Sequence, residues 1–169
     1  MPKISPAAYV APSAILMGDV TLEAESSIWY MCVLRGDSAP ITVAERTCIQ
    51  DGCIIHCDPG IACVIGRQVG VGHGVILHSC VVEDNCLIGM GSVLLNRVRI
   101  GTGSVVAAGS VLPEGMEVPP QSVVLGVPGK VVRTVDARLT QRIEKTWKDY
   151  VELSRRHRDS TFPLYRWPQ

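Results

Sequence analysis

Aromatic residues are scarce in this chain: one Phe, three Trp and four Tyr among 169 residues. A core of stacked rings is thereby excluded, and the interior must be made of Val, Ile, Leu and Ala. Charge is also sparse, at 19% Asp, Glu, Lys and Arg against about 25% in an ordinary soluble domain. The 16 basic and 16 acidic residues cancel, which argues against a nucleic-acid binder, since such proteins carry a net basic face. No apolar run approaches the roughly 18 residues of a membrane span. Residues 1–10 hold one Lys and no long apolar segment, so no secretory signal is read there and a cytoplasmic protein is expected. Cys-x-x-Cys is absent as well, although there are seven cysteines, an odd number that cannot pair fully within one chain. Cys32, Cys48, Cys53, Cys63, Cys80 and Cys86 lie in apolar, strand-like surroundings and read as small, reduced core residues. Cys57, directly after His56, is the one metal or redox candidate among them.

What is present is 47% apolar residues and 16 Gly, enough to exclude disorder. The aliphatic residues recur every six positions. They fall at Val10, Leu16, Leu22, Ile28 and Leu34, then at Val43, Ile49 and Ile55, then at Ile65, Val71 and Leu77. A last run holds Val82, Ile88, Leu94, Ile100, Val106 and Leu112. Six fits neither a 3.6-residue helix nor an alternating strand in a hairpin. It fits an all-β solenoid in which each hexapeptide makes one short strand and a turn, and three hexapeptides close one coil of a triangular prism. The period slips by three extra residues between Leu34 and Val43 and by four between Ile55 and Ile65, and it is one short between Leu77 and Val82. Gly36–Pro40 and Cys57–Cys63 are therefore expected to bulge as loops, where solenoids often do their work.

The repeat fades after Leu112, and Gly126–Lys130 reads as a turn. From Asp136 to His157 the period becomes helical, with Leu139, Ile143, Trp147, Tyr150 and Val151 on one stripe. Asp136 or Thr140 could cap its start. The division expected is 1–133 for the prism and 134–169 for a C-terminal helix and irregular tail that cover one prism face.

Of four histidines, His157 sits in a basic run and reads as a solvated helix end. The other three surround the longest slip. His56 and His78 each follow a core aliphatic residue by one, and the interval between them, less the four extra, is three hexapeptides, one full coil. Their imidazoles should stack on one face, about 4.7–4.9 Å apart strand to strand, a spacing that suits two nitrogens about 2.0–2.1 Å from one metal ion. His73 follows Val71 by two and falls on the preceding face, near a corner, pointing away from the pair. Side-by-side prisms around a threefold axis would bring it to the pair of the next chain. Zn2+ suits imidazole, and Fe2+ or Co2+ would serve as well. The interval from Arg35 to His56, less the three extra, is again three hexapeptides, so Arg35 stacks one coil below His56. Asp37 shares its loop, and Gln50 and Asp51 sit one face earlier.

These residues resemble the gamma-class carbonic anhydrase family of left-handed parallel β-helix proteins. The likeness rests on Arg35-Gly36-Asp37, on Gln50-Asp51-Gly52 with His56 six after Gln50, and on Gly72-His73-x4-His78. The Ile-Gly steps at 65–66, 88–89 and 100–101 and the turn at 126–130 also match, and the likeness spans about residues 5–155. It implies a left-handed β-helix with a C-terminal α-helix, a homotrimer with zinc at each interface, and metal ligands His56 and His78 from one chain with His73 from the next. It assigns Gln50 to the reacting water, Arg35 and Asp37 to an interface ion pair, Asp51 to the same network, and Tyr150 to the helix beside the site. The activity implied is reversible hydration of CO2 to bicarbonate by hydroxide on the metal. The departures are Cys48 for an Asn, Ser38 for a Glu, and a short loop with Asp58 as its only acid in place of one carrying a proton-shuttling Glu. They predict slow proton export, buffer-dependent turnover and a weak or inactive enzyme. A CoA-linked acyl hydrolase or acyltransferase, and a non-catalytic metal-binding assembly protein, are the competing functions.

Overall fold

The computed structural model describes residues 1–159 and Phe162. Successive short strands run parallel and stack coil on coil into a left-handed prism of about seven turns, with one helix at the C-terminal end. The first face stacks Ile15–Met17, Val33–Arg35, Ile54–His56, Ile76–His78, Val93–Leu94 and Val111–Leu112. The second runs from Lys3–Ile4 to Glu117–Val118. The third runs from Tyr9–Val10 to Ser122–Leu125 and is closed by the antiparallel strand Lys130–Thr134 after a turn.

The period of six is the period of the core. Every aliphatic residue of the series from Leu22 to Leu112 points inward and is at most 2% exposed; Val10 and Leu16, at the open end, pack against them half-buried. The corners share the period: left-handed φ recurs at Asn85, Gly91, Arg97, Gly103, Gly109, Gly115 and Gln121. Each coil turns there without lengthening its strands.

Two features of the prism differ from the sequence reading. The repeat does not end at Leu112, because Val118 and Val124, six and twelve residues on, are also buried. Intervening Pro residues hide the pattern without breaking the inward register. The excess near Gly36–Pro40 does not form a separate loop, because Val33–Val43 is one continuous strand that rounds a corner. Its extra residues sit between Gly36, opposite Gly18, and Ile41, opposite Val20. The backbones approach so closely there that a Cβ on Gly36 would stand 2.6 Å from the Asp19 carbonyl oxygen. The Cys57–Ala62 segment does bulge, between the strands Ile54–His56 and Cys63–Ile65.

The helix spans Ala137–Arg158, and Asp136 caps it by accepting from the Leu139 amide at 2.9 Å. It lies over the third face. A Cβ on Gly70 would meet Thr146 Cγ2 at 2.8 Å, so glycine lets the helix seat. Trp29, Tyr9, Tyr30 and Tyr150 bind the other end of the helix to the first coils. His157 belongs to that cluster and is not a solvated helix end: its ring lies 5.0 Å from Trp29, and its Nδ1 is 3.0 Å from the Tyr30 hydroxyl. Periodicity reports only what faces the prism axis, and this contact lies outside it. The irregular tail expected over 161–169 falls, Phe162 apart, outside the described residues. All seven cysteines are free and buried. No helix among the described residues is long and apolar enough to cross a membrane.

Candidate functional site

The candidate residues form two groups on different corners of the prism. The first is a column. In-register pairing sets Arg35 beside His56 and His56 beside His78. Each follows an inward Leu or Ile, so each side chain projects outward. His56 Nδ1 and His78 Nε2 face one another at 3.1 Å, with ring centroids 5.1 Å apart. The other nitrogen of His56, Nε2, is 3.1 Å from Asp37 Oδ1. Arg35 Nη1 donates to the second Asp37 oxygen at 2.6 Å. That guanidinium, first, holds the Asp37 carboxyl below its usual range against an opposing desolvation, with a lesser contribution from His56.

The column has two members that the sequence reading did not assign to the histidines. His78 Nδ1 is hydrogen-bonded to Asn96 Oδ1, and Asn96 Nδ2 donates to Asp58 Oδ2 at 2.5 Å. Asp58 is pinned in turn, because its backbone N–H donates to Ser79 Oγ at 2.7 Å. Register could have found Asn96: the slip makes the next coil one residue short of three hexapeptides, so Leu95 follows His78 in the column and Asn96 is its neighbour.

The second group sits where the third face turns into the first. His73 Nδ1 is 2.9 Å from Asp51 Oδ2, and the other Asp51 oxygen accepts from the Tyr30 amide at 3.2 Å. Gln50 is 7% exposed. Gln50, His73 and Tyr150 line one groove of about 550 Å3 between the third face and the helix, walled by Leu87, Val105 and Val123. Tyr150 meets Trp29 edge to face at 5.1 Å, and burial pushes its hydroxyl up to about 12.

Arg35, Asp37, His56 and His78 thus share one corner, and Gln50, Asp51, His73 and Tyr150 another. Among the described residues no three His, Cys, Asp or Glu side chains converge as ligands within one chain. The donor chemistry of the first group nonetheless fits an ion. Two nitrogens bound tetrahedrally at about 2.0–2.1 Å stand about 3.3 Å apart, close to the 3.1 Å found. Each imidazole has one nitrogen engaged by an acceptor, which leaves the other as a lone-pair donor.

Comparison with known proteins places this fold. The bacterial transferase hexapeptide family (six repeats) matches residues 79–114. Carbonic anhydrase of Geobacillus kaustophilus is 41% identical over 151 residues, 89% of this chain and 83% of that protein. Gamma carbonic anhydrase 2, mitochondrial, of Arabidopsis thaliana is 37% identical over 162 residues, 92% of this chain and 58% of that longer protein. Carnitine operon protein CaiE of Escherichia coli is 39% identical over 137 residues, 80% of this chain and 69% of its own length. Among solved structures, a hexapeptide transferase family protein from Anaplasma phagocytophilum superposes with a TM-score of 0.88 at 38% identity, over 91% of each chain. The fold is that of the hexapeptide-repeat β-helix proteins. Within them, the chain belongs to the gamma-class carbonic anhydrase-like family.

Proposed function

We propose that three copies of this chain ring a threefold axis and share three metal sites, each made of His56 and His78 of one protomer and His73 of the next. The observation that carries the proposal is the 3.1 Å approach of His56 Nδ1 and His78 Nε2, with His73 on another corner. Two imidazoles are one ligand short of a catalytic site with an open position. A closed ring supplies the third ligand three times over. The surface supports it: Ile15, Ile54 and Ile76, respectively 56%, 47% and 38% exposed, form an apolar ladder along the first face beside the histidine pair. The groove beside His73, with its Leu87, Val105 and Val123 wall, is of matching character. Zinc suits the imidazole set, as would Fe2+ or Co2+.

The activity proposed is reversible hydration of CO2 to bicarbonate, as the carbonic anhydrase relatives support. A bound ion would lower the pKa of a water to about 7 and so supply a nucleophile at neutral pH. The chain's own residues do the rest. Gln50, buried against the groove, would orient that water through its amide. Asp37 steadies His56, and Asp51 steadies His73. Arg35 keeps Asp37 ionised. The Tyr150 phenol, with its proton held by burial, is a hydrogen-bond donor at the groove edge. Asp58, the only acid of the bulge, is committed to Asn96, so proton export falls to external buffer. Seven free thiols fit a reducing compartment, and we place the protein in the cytoplasm.

The test is metal analysis of protein purified without an affinity tag, with CO2 hydration assayed on the same sample. One metal per chain and a rate that rises with buffer concentration are expected. A fully metallated trimer that does not hydrate CO2 overturns the activity. Metal-free protein that cleaves or transfers an acyl-CoA would favour the reading that the transferase name of the Anaplasma structure suggests.

A further inference from the structure

We propose that Asp58 and Asn96 are positioning residues that fix the proton of His78 on Nδ1 and so deliver the Nε2 lone pair to the His56 side of the column. The chain of reasoning starts at the carboxylate. An ionised Asp accepts hydrogen bonds only, so the Asn96 atom 2.5 Å from Asp58 Oδ2 must be the amide nitrogen. That choice turns Asn96 Oδ1 toward His78 Nδ1. A carbonyl oxygen also only accepts, so His78 Nδ1 must carry the hydrogen. The neutral ring is then unprotonated at Nε2, the atom that lies 3.1 Å from His56 Nδ1. The other two histidines reach the same end more directly, His56 through Asp37 at 3.1 Å and His73 through Asp51 at 2.9 Å. His78 alone is served through a relay.

The relay also gives the four-residue bulge a purpose. His78 pairs in register with His56, and the chain leaving His56 would ordinarily turn straight into the next strand at the corner. The insertion lets residue 58 swing over the coil above, 38 residues away in sequence from its partner Asn96. The fully buried Ser79 anchors it there through the Asp58 amide. The remaining Asp58 oxygen stands 3.9 Å from His78 Nε2, beyond hydrogen-bonding range.

The proposal rests on the metal-site reading for its purpose but is measurable without metal. Long-range proton–nitrogen correlation spectra of the metal-free protein, taken at about pH 8 where an ordinary imidazole is neutral, should show His78 protonated at Nδ1. Asn96→Ala should move most of that population to Nε2. In chelator competition, Asn96→Ala and Asp58→Ala should each weaken metal binding about 10- to 100-fold, the usual effect of removing such a support. The swap Asp58→Asn with Asn96→Asp keeps an acceptor facing His78 and an amide donor behind it. It should restore the Nδ1 proton and bring affinity to within about threefold of the parent. A parent His78 protonated at Nε2 overturns the proposal. A swapped variant no better than the single variants overturns it too, because Asp58 would then act directly and not through Asn96. If the parent binds no metal, the metal-site reading fails while the spectra still decide the relay.

Discussion

The two histidine corners are built differently. The His56–His78 corner is made by the prism alone: two adjacent coils in register, with every neighbour one coil or one bulge away. The His73 corner is made by the prism and the helix together, since Gln50 and His73 share their groove with Tyr150, Thr146 and Arg142 of the helix. The first is fixed by parallel pairing, which tolerates no slip without turning the core outward. The second depends on a docking surface of aromatic rings at the ends of the first coils. The site proposed to be shared between copies would therefore join a half fixed by the prism to a half whose order depends on helix packing.

Core truncation on the two sides should break this contrast with the largest effects. Trp29→Ala removes a ring 3% exposed that touches Tyr9, Tyr30, Tyr150 and His157, and about 3–5 kcal/mol of stability should be lost. The His56 and His78 resonances should stay in place while those of His73 and Tyr150 shift. Ile55→Ala, at the fully buried position between His56 and exposed Ile54, should cost about 2–5 kcal/mol and disturb the pair itself. Equal disturbance of both corners by Trp29→Ala would show that they are not separable.

Ligand removal sharpens the comparison next. Loss of any one histidine should weaken metal retention by about two to three orders of magnitude, a one-ligand share of a strong imidazole site. Position can be told from loss by mixing. Subunits carrying His56→Ala with His78→Ala lack the first half, and subunits carrying His73→Ala lack the second. Each mixed trimer regains one intact site of three, so an equal mixture co-refolded should recover about a quarter of the parental metal. No recovery would place the three ligands within one protomer. Light scattering should give about 55 kDa for three chains of 18.2 kDa each, and a stable metal-bearing monomer would refute the ring.

How much of this could be read in the sequence follows from the same contrast. The column of Arg35, His56 and His78 was legible because parallel coils turn sequence distance into spatial distance at three hexapeptides per turn, once three- and four-residue insertions are subtracted. The helix start was legible from local chemistry, with Asp136, the cap found, one of two candidates beside Thr140. Asn96 escaped because it stands outside the column: the one-residue slip after Leu77 puts Leu95 in register with His78, and Asn96 reaches the imidazole from the next position along the chain. The packing of His157 escaped because nothing periodic connects residue 157 to Trp29 and Tyr30. Contacts outside the prism are set by where the helix lands, and the repeat holds no record of that.

The smallest expected effect tests how the helix end is tied down. Glu25, at a left-handed corner of the second coil, receives Arg46 Nε at 2.9 Å and Arg155 Nη2 of the helix at 2.5 Å. These two hydrogen bonds, Arg46 first, lower its pKa below the usual 4.5 against desolvation. A carboxyl whose folded pKa is depressed adds stability above its unfolded value and loses it as the pH falls through the folded one. The Glu25 side chain is 25% exposed and Arg155 55%, so solvent screening keeps the gain below about 1 kcal/mol. Glu25→Gln should therefore melt slightly earlier than the parent at neutral pH, and the gap should close as the pH drops below the depressed value. Added salt at neutral pH should narrow it in the same way. The His56 and His78 spectra should not change at all, because the tie holds the helix and not the column. A gap that persists unchanged in acid would mean that Glu25 matters for its shape at the corner and not for its charge.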